Sequence, residues 1–364
     1  MVARHLGASV WQVALITSIP FYGLLLSLFW ASGQTRFASP LAFVTFATSV
    51  TRILFLGMAW VTGPKAFVAC ACLAQFLAPI HGPAYTEVMR QIYPGQIRGK
   101  AMGSVRMAAS VATMLAAALG GKLLDLIGFR MIFPVAALAG VAASWIFAQI
   151  PYPLAPPSPS PSPAVSSFLR LLQSDPDLRR FEVGFFLFGL GNLMMMPLMP
   201  ILLVDRLHST NFFVGELASV TALARLCFLY FWGYQIDRRG SLIVAREVLI
   251  LMTFVPICYM VAKGSLPLIL AAAISGCTMA GLDLAVIGSM IALAEGRDPV
   301  PTMVVHQTLL GIRGILAPLA GTLLLSLVGL RLTFLGSAGF ILLGSLLVRC
   351  QGVQGVQPPM GAKG

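Results

Sequence analysis

The sequence predicts an all-α polytopic membrane protein of about eleven transmembrane helices arranged as two bundles. Three observations carry this expectation. Hydrophobic residues make up 58% of the 364-residue chain and charged residues 10%, against roughly 45–50% and about 25% in soluble domains. The apolar residues come in runs of about 20, the length at which a helix crosses a bilayer core. A Pro/Ser tract separates two sets of such runs, and the two sets share matching segments.

Breaks at Pro, Gly and charge clusters place spans near 10–31, 40–62, 66–89, 102–124 and 130–150, then 181–204, 212–234, 242–262, 267–291, 303–326 and 331–349. The first run is longer than a signal-peptide core and lacks a strongly basic flank, so it reads as a retained span. The tract from Pro151 to Ser167, PYPLAPPSPSPSPAVSS, is too rich in proline for helix and reads as an extended linker. The following FLRLLQSDPDLRR mixes Phe168, Leu169, Leu171 and Leu172 with Arg170, Arg179 and Arg180, which fits either a short helix on an anionic membrane surface or a plain loop. The expected organisation is therefore a bundle over 1–150, a linker over 151–180, a second bundle over 181–350 and a tail over 351–364.

An internal repeat relates the two sets. Gly120 to Phe133, GGKLLDLIGFRMIF, matches Gly321 to Phe334, GTLLLSLVGLRLTF, at an offset of about 201 residues, sharing Gly120/Gly321, Gly128/Gly329, Arg130/Arg331 and Phe133/Phe334. Phe29, Trp30 and Arg36 likewise pair with Phe231, Trp232 and Arg238 at about 202 residues. Aligned this way, the span at 10–31 stands opposite the one at 212–234, and the 181–204 span has no partner. The first bundle is expected to be one helix short.

The formal net charge of +12 does not indicate a nucleic-acid partner, because Lys and Arg fall in short clusters between apolar runs instead of along one basic face. With the C-terminus inside, about thirteen of them face inward and about seven outward, which puts the linker and tail in the cytoplasm of a cell-membrane protein. Five of the six cysteines (Cys70, Cys72, Cys227, Cys258 and Cys277) lie inside apolar runs and Cys350 ends the last. Their spacing suits neither zinc nor a disulfide framework, and they read as packing residues.

The turn Gly233-Tyr-Gln-Ile-Asp237-Arg238-Arg239-Gly240 resembles the G-x-x-x-D-R-x-G cytoplasmic signature of the major facilitator superfamily. Arg98-Gly-Lys-Ala-Met-Gly, the helix MAASVATMLAAALGG and LLDLIGFR are similar to that family's fourth loop, fifth helix and its exit. The small residues Ala108, Ala109, Ala112, Ala116, Gly120 and Gly121 suit close helix contact. Two departures stand out. At the first-half copy of the signature, Ala31, Thr35 and Ala38 replace Gly233, Asp237 and Gly240, leaving only Arg36. The fifth helix also lacks the Gly-Pro that drug/proton antiporters of the family carry before the paired glycines.

The resemblance implies a two-bundle fold and secondary transport of a small organic solute by alternating access, powered by a gradient and coupled to protons if a carboxylate carries them. The signature would act as a switch, since its glycines let helix ends approach and its Asp and Arg can pair in one conformation and release in another. The family lines its cavity with helices that correspond to the spans at 66–89, 181–204 and 267–291. His81, Tyr85 and Glu87, then Asn192, then Asp283 are thus cavity candidates.

Charges inside spans are costly and default to function, which adds Arg52, Arg106, Arg225 and Arg313. Asp283 either takes a proton or solute, or forms a salt bridge with Arg313 or Arg225. Glu87 would pair with Arg90 or Arg98. His81 and His306 read as packing or capping residues, and the run Met194 to Met196 as adaptable packing. The excess of Arg over carboxylate points to an anionic or amphipathic solute. No Ser/His/Asp arrangement, metal-spaced histidines or phosphate-cradling loop occurs, so neither enzyme, metal nor cofactor is expected. The expected partners are the solute, protons and membrane lipids, and the chain is expected to act as a monomer. The other reading is a non-transporting or degenerate relative, such as a sensor or truncated product.

The expected topology can be tested with single cysteines at Gly63 and Ser160 in a background free of native cysteines. An impermeant thiol reagent added outside should label Gly63 and spare Ser160; labelling of Ser160 alone would invert the orientation.

Overall fold

A computed structural model of the protein describes residues 2–30, 37, 39–61, 63–92, 98–152, 172–294 and 300–348. The Pro/Ser tract beyond Tyr152, the expected surface segment as far as residue 171 and the tail from Arg349 lie outside them. Among the described residues there are helices and turns and no β-strand. This follows from the apolar runs, because a backbone in hydrocarbon can satisfy its N–H and C=O groups only within its own helix or in a closed barrel.

The helices in order are α1 (Val2–His5), α2 (Val10–Trp30), α3 (Pro40–Gly57), α4 (Pro64–Leu77), α5 (Gly82–Ile92), α6 (Arg98–Ile127), α7 (Phe129–Ala148), α8 (Pro176–Pro200), α9 (Asn211–Arg239), α10 (Ser241–Met252), α11 (Phe254–Val261), α12 (Ser265–Leu293) and α13 (Val300–Leu347). Nine stretches among the described residues are long and apolar enough to cross a membrane. The last of these, within α13, holds two spans, because Gly329 interrupts it with φ 79° and ψ 172°. The apolar α2 adds another, so the helices agree with the eleven expected spans.

Local chemistry sets the boundaries. Ser39, Asp175 and Thr210 cap α3, α8 and α9, their side-chain oxygens accepting from Ala42, Leu178 and Phe213 N–H at 3.1, 2.9 and 3.1 Å. The Asp175 cap with Pro176 behind it starts α8 before the expected residue 181. Two expected spans are broken. A 3₁₀ turn at Ala78–His81 separates α4 from α5 beside Pro79, and Thr253 separates α10 from α11, where Pro256 cannot donate to Met252.

Packing is closest where glycine removes the side chain. In the second half α8 lies along both limbs of α13: a Cβ on Gly184 would strike Gly344, one on Gly191 would strike Ser337, and one on Gly321 would strike Met194. Across the halves, Gly215 of α9 meets Ala117 of α6, while Gly311 and Gly314 of α13 receive Leu25 and Phe21 of α2. The contacts α6 with α9 and α2 with α13 hold the halves together.

The repeat is carried into backbone geometry. Gly128 and Gly329, the paired glycines of the matching segments, turn between helices with nearly the same φ, 75° and 79°. One turn before α2 and α9, Gly7 and His208 have φ 85° and 48°, and Ser9 and Thr210 cap the helices that follow. The halves differ where α8 packs. Gly321 lies against Met194 of α8, but a Cβ on its partner Gly120 would meet nothing within 4 Å. Accordingly none of the span within Met107–Ile127 is buried, against 56% of the span containing α8.

If glycine contacts hold α8 on α13, Gly344→Leu should destabilise the protein by about 1–3 kcal/mol or more, since overpacking forces the helices apart. Gly339→Leu, at an open position on the same limb, should stay near wild type. Thermal unfolding in detergent distinguishes them, and equal losses would refute the packing account.

Candidate functional site

Three groups of polar side chains interrupt this apolar structure. The first is on the α9–α12 contact, where the Arg225 guanidinium donates to the Asp283 carboxylate in an ion pair. Of the two partners the sequence allowed for Asp283, Arg225 takes it. Both side chains lie well inside their helices and are about two-fifths exposed, at 41% and 37%. A half-exposed ion pair within a span must meet water or protein, because hydrocarbon would make it costly.

The second group joins the halves at one end. Arg4 donates from Nε to Asp205 Oδ1 and Oδ2 at 3.0 and 2.9 Å. These residues are 201 positions apart, the spacing of the repeat. They occupy equivalent places in the two halves and touch, so they sit beside the pseudo-two-fold axis. At the same end Asp125 of α6 caps α9 from across the interface. Its carboxylate accepts from the backbone N–H groups of Asn211 and Phe212 at 3.1 and 2.6 Å, and from Asn211 Nδ2 at 2.7 Å. A carboxylate suits the positive start of a helix. Ser219 of α9 also donates to the Met114 carbonyl of α6 at 2.9 Å.

At the far end of α9 lies the signature turn. Gly240 ends the helix with φ 85° and leads directly into α10. Arg239 grips Glu247 through two bonds of 2.7 and 2.6 Å, and Arg238 stacks over the Tyr234 ring. Asp237 is exposed and has no ion-pair partner among the described residues. Gly233 faces Leu284 of α12.

The third group is the most buried. Glu182 of α8 and His306 of α13 are 2% and 5% exposed, with Nδ1 3.1 and 3.3 Å from the carboxylate oxygens. Arg313, two turns along α13, is 4% exposed. One of its terminal nitrogens donates to the Phe185 carbonyl, its guanidinium lies 5.0 Å from the Phe185 ring centre, and Nε has no hydrogen-bond partner among the described residues. Gly189 leaves the space that Arg313 fills. Sequence reasoning passed over Glu182 because the span was started one residue before it. The Asp175-Pro176 helix start was the signal that would have put it inside.

Two cavities complete the picture, of about 320 and about 340 Å³. They are copies of one another. Val13, Ile16, Thr17, Met58, Phe67 and Ala71 line the first, and Val214, Leu217, Ala218, Tyr259, Leu268 and Ala272, at the repeat spacing, line the second. Pro200 of α8 borders both, and Arg4, Thr17 and Gln75 are the polar residues of the first.

Of the remaining candidates, Tyr85 stacks on Phe147 at 6.0 Å, and the Arg52 side chain lies along Gly140 of α7 while staying exposed. Asn192 is half-buried on α8, away from the lining of either cavity. The side chains of Glu87 and Arg106, like those of Arg90 and Arg98, lie outside the described residues. No group of three or more potential metal ligands occurs among the described residues.

A family model described as Major Facilitator Superfamily matches the chain over residues 1–181 and again over 181–351. Two solved structures share the fold. A nucleoside transporter, NupG, is 14% identical with a TM-score of 0.72, covering 94% of this chain and 90% of its own. The human organic anion transporter MFSD10 (TETRAN) is 17% identical with a TM-score of 0.65, covering 93% and 83%. No curated protein sequence matches the chain.

The Arg225–Asp283 pair predicts non-additivity. Arg225→Ala and Asp283→Ala should each cost stability by leaving a charge unpaired within a span, and the double variant should recover about 1 kcal/mol of their summed loss. Simple additivity in a double-mutant cycle by thermal unfolding would show that the pair contributes nothing.

Proposed function

The chain belongs to the major facilitator superfamily, and on that premise we propose that it moves a small organic solute across the membrane by alternating access, along a route between its two halves. The observation that carries this reading is the clustering of polar links between the halves at the end that holds Arg4, Asp205, Asp125 and Asn211. A seal of this kind is what a transporter closed at that end requires, and both links are of a sort that separates when the halves rock apart.

The Lys and Arg distribution supports assigning the sealed end to the outside and the signature turn, linker and tail to the cytoplasm of the cell membrane. On this assignment Asp237 faces the open side with no ion-pair partner among the described residues. Its proposed role is to find one when the inner end closes, as Arg239 has already done with Glu247. The half-exposed Arg225–Asp283 pair is the proposed polar station on the solute's way. Its charges, with the general excess of Arg, suit a solute that is anionic or amphipathic. The solved relatives are described as transporters of nucleosides and of organic anions, and a small organic molecule is the class proposed here.

A disulfide across the seal tests the reading. Cysteines at Lys122 and Phe212 should cross-link α6 to α9 beside the Gly121–Asn211 contact. In vesicles, uptake from a panel of labelled organic anions and nucleosides should fall to background when they are oxidised and return on reduction. Uptake that persists through the cross-link would rule out alternating access at this end, and a reduced protein that moves none of the panel would favour the non-transporting reading.

A further inference from the structure

We propose that the adjoining faces of α6 and α7 are the docking site of one further apolar transmembrane helix built on the pattern of α8, seated with its C-terminal end beside α1.

In the second half α8 covers both limbs of α13. His306, Arg313, Ala317 and Ser337 are at most 5% exposed there, and Gly321 and Gly344 are buried. At the repeat spacing the first half has Val105, Ala112, Ala116, Ala136, Gly120 and Ala143 in their places. Val105 is 48% exposed, the four alanines are exposed, and a Cβ on Gly120 would meet nothing within 4 Å. Among the described residues no helix covers them. α6 turns Met114, Ala117 and Gly121 toward α9, and α7 packs on α3. The positions that α8 buries in one half thus lie open in the other.

The chemistry of the open positions says what fits them. Hydrocarbon tails cover any apolar face and need no small residues on it, whereas a helix backbone comes close only where side chains are short. Small residues line both walls here. In the second half Gly184 of α8 meets Gly344, Gly191 meets Ser337, and the Met194 backbone meets Gly321. A helix of the same pattern would find Ala143, Ala136 and Gly120 at those contacts. It must differ from α8 at one place. Glu182 faces His306, but Val105 offers a carboxylate no partner, and an unpaired charge within a span is costly. The partner therefore carries an apolar residue there.

α1 fixes its direction. The turn Ile201–Arg206 continues directly from α8, and Val2–His5 stand at the repeat spacing from 203–206, with Arg4 bonded to Asp205. α1 therefore occupies the place of the turn that ends α8. A helix lying on α6 and α7 as α8 lies on α13 would end there. The cavities agree with this placement. Met196 and Met199 of α8 form part of the wall of the second cavity; the first has Val2 in the place of Leu203 but no counterpart of either methionine among the described residues. The docked helix would supply that wall. Neither the repeat nor the packing depends on transport, so this site stands apart from the alternating-access reading.

The test uses the purified full chain in lipid nanodiscs, with a donor dye on a cysteine at Val2 in a background free of native cysteines. The probe is a synthetic peptide of Pro176–Pro200 carrying Glu182→Leu and an acceptor dye. Energy transfer should saturate with added peptide and be stronger with the acceptor at its C-terminal end than at its N-terminal end. Gly120→Leu and Ala143→Leu, one on each wall, should each weaken binding about tenfold or more, because overpacking holds the helices apart. Gly120→Leu should leave thermal unfolding of the free chain unchanged, since the position is open, and it carries the test if Ala143→Leu fails to fold. Leu115→Ala should bind like the wild type, because its counterpart Leu316 is 50% exposed even with α8 in place. Transfer that never saturates, that is unmoved by both Leu variants, or that is stronger from the N-terminal end would overturn the site. So would a chain that cross-links to a second copy through cysteines at Ala116 and binds no peptide, since self-association would then close the face.

Discussion

Hydrocarbon offers no water to the backbone and no hydrophobic reward for bringing two helices together, and the architecture follows from that double restriction. The first restriction makes every span a helix. The second means that helices adhere through contact and through the few polar bonds they share. Glycine accordingly marks the tightest contacts, Gly184 on Gly344, Gly215 on Ala117 and Gly276 on Thr221, because removing a side chain lets backbones meet. The polar groups are placed with equal economy: at the end that holds Arg4 and Asp205, within the α9–α12 contact, and between α8 and α13.

That restriction also explains what could be read in the sequence. Span positions were legible to within a few residues because the bilayer demands runs of a fixed length. The repeat was legible because Gly128 and Gly329 need a left-handed backbone at the same turn, which few other residues supply. Kinks were not, since Pro79 and Pro256 break a helix only where no neighbouring group restores the lost bond. Which charges meet was less legible still. Asp283 could be assigned to Arg225 or Arg313 on composition alone, and the choice is made by which helix faces which. Glu182 lay hidden for a related reason: its burial depends on two turns of helix started by Asp175 and Pro176, a signal far weaker than the apolar run behind it.

The two halves have kept their common plan and spent their differences unevenly. The caps Ser9 and Thr210, the turns at Gly7 and His208 and at Gly128 and Gly329, and six residues lining each cavity correspond at the repeat spacing. Several ionisable residues do not: His306 and Arg313 of the second half stand opposite Val105 and Ala112, and Asp237 of the signature turn stands opposite Thr35.

The ion pair on the axis shows where the two-fold plan has to fail. Arg4 and Asp205 hold corresponding places in the repeat and face each other, so two identical halves would set the same side chain against itself there. Opposite charges can meet at that place only because the halves differ, since a charged residue facing its own copy repels it. The attraction between the two ends is thus a product of asymmetry, placed at the point where symmetry is closest.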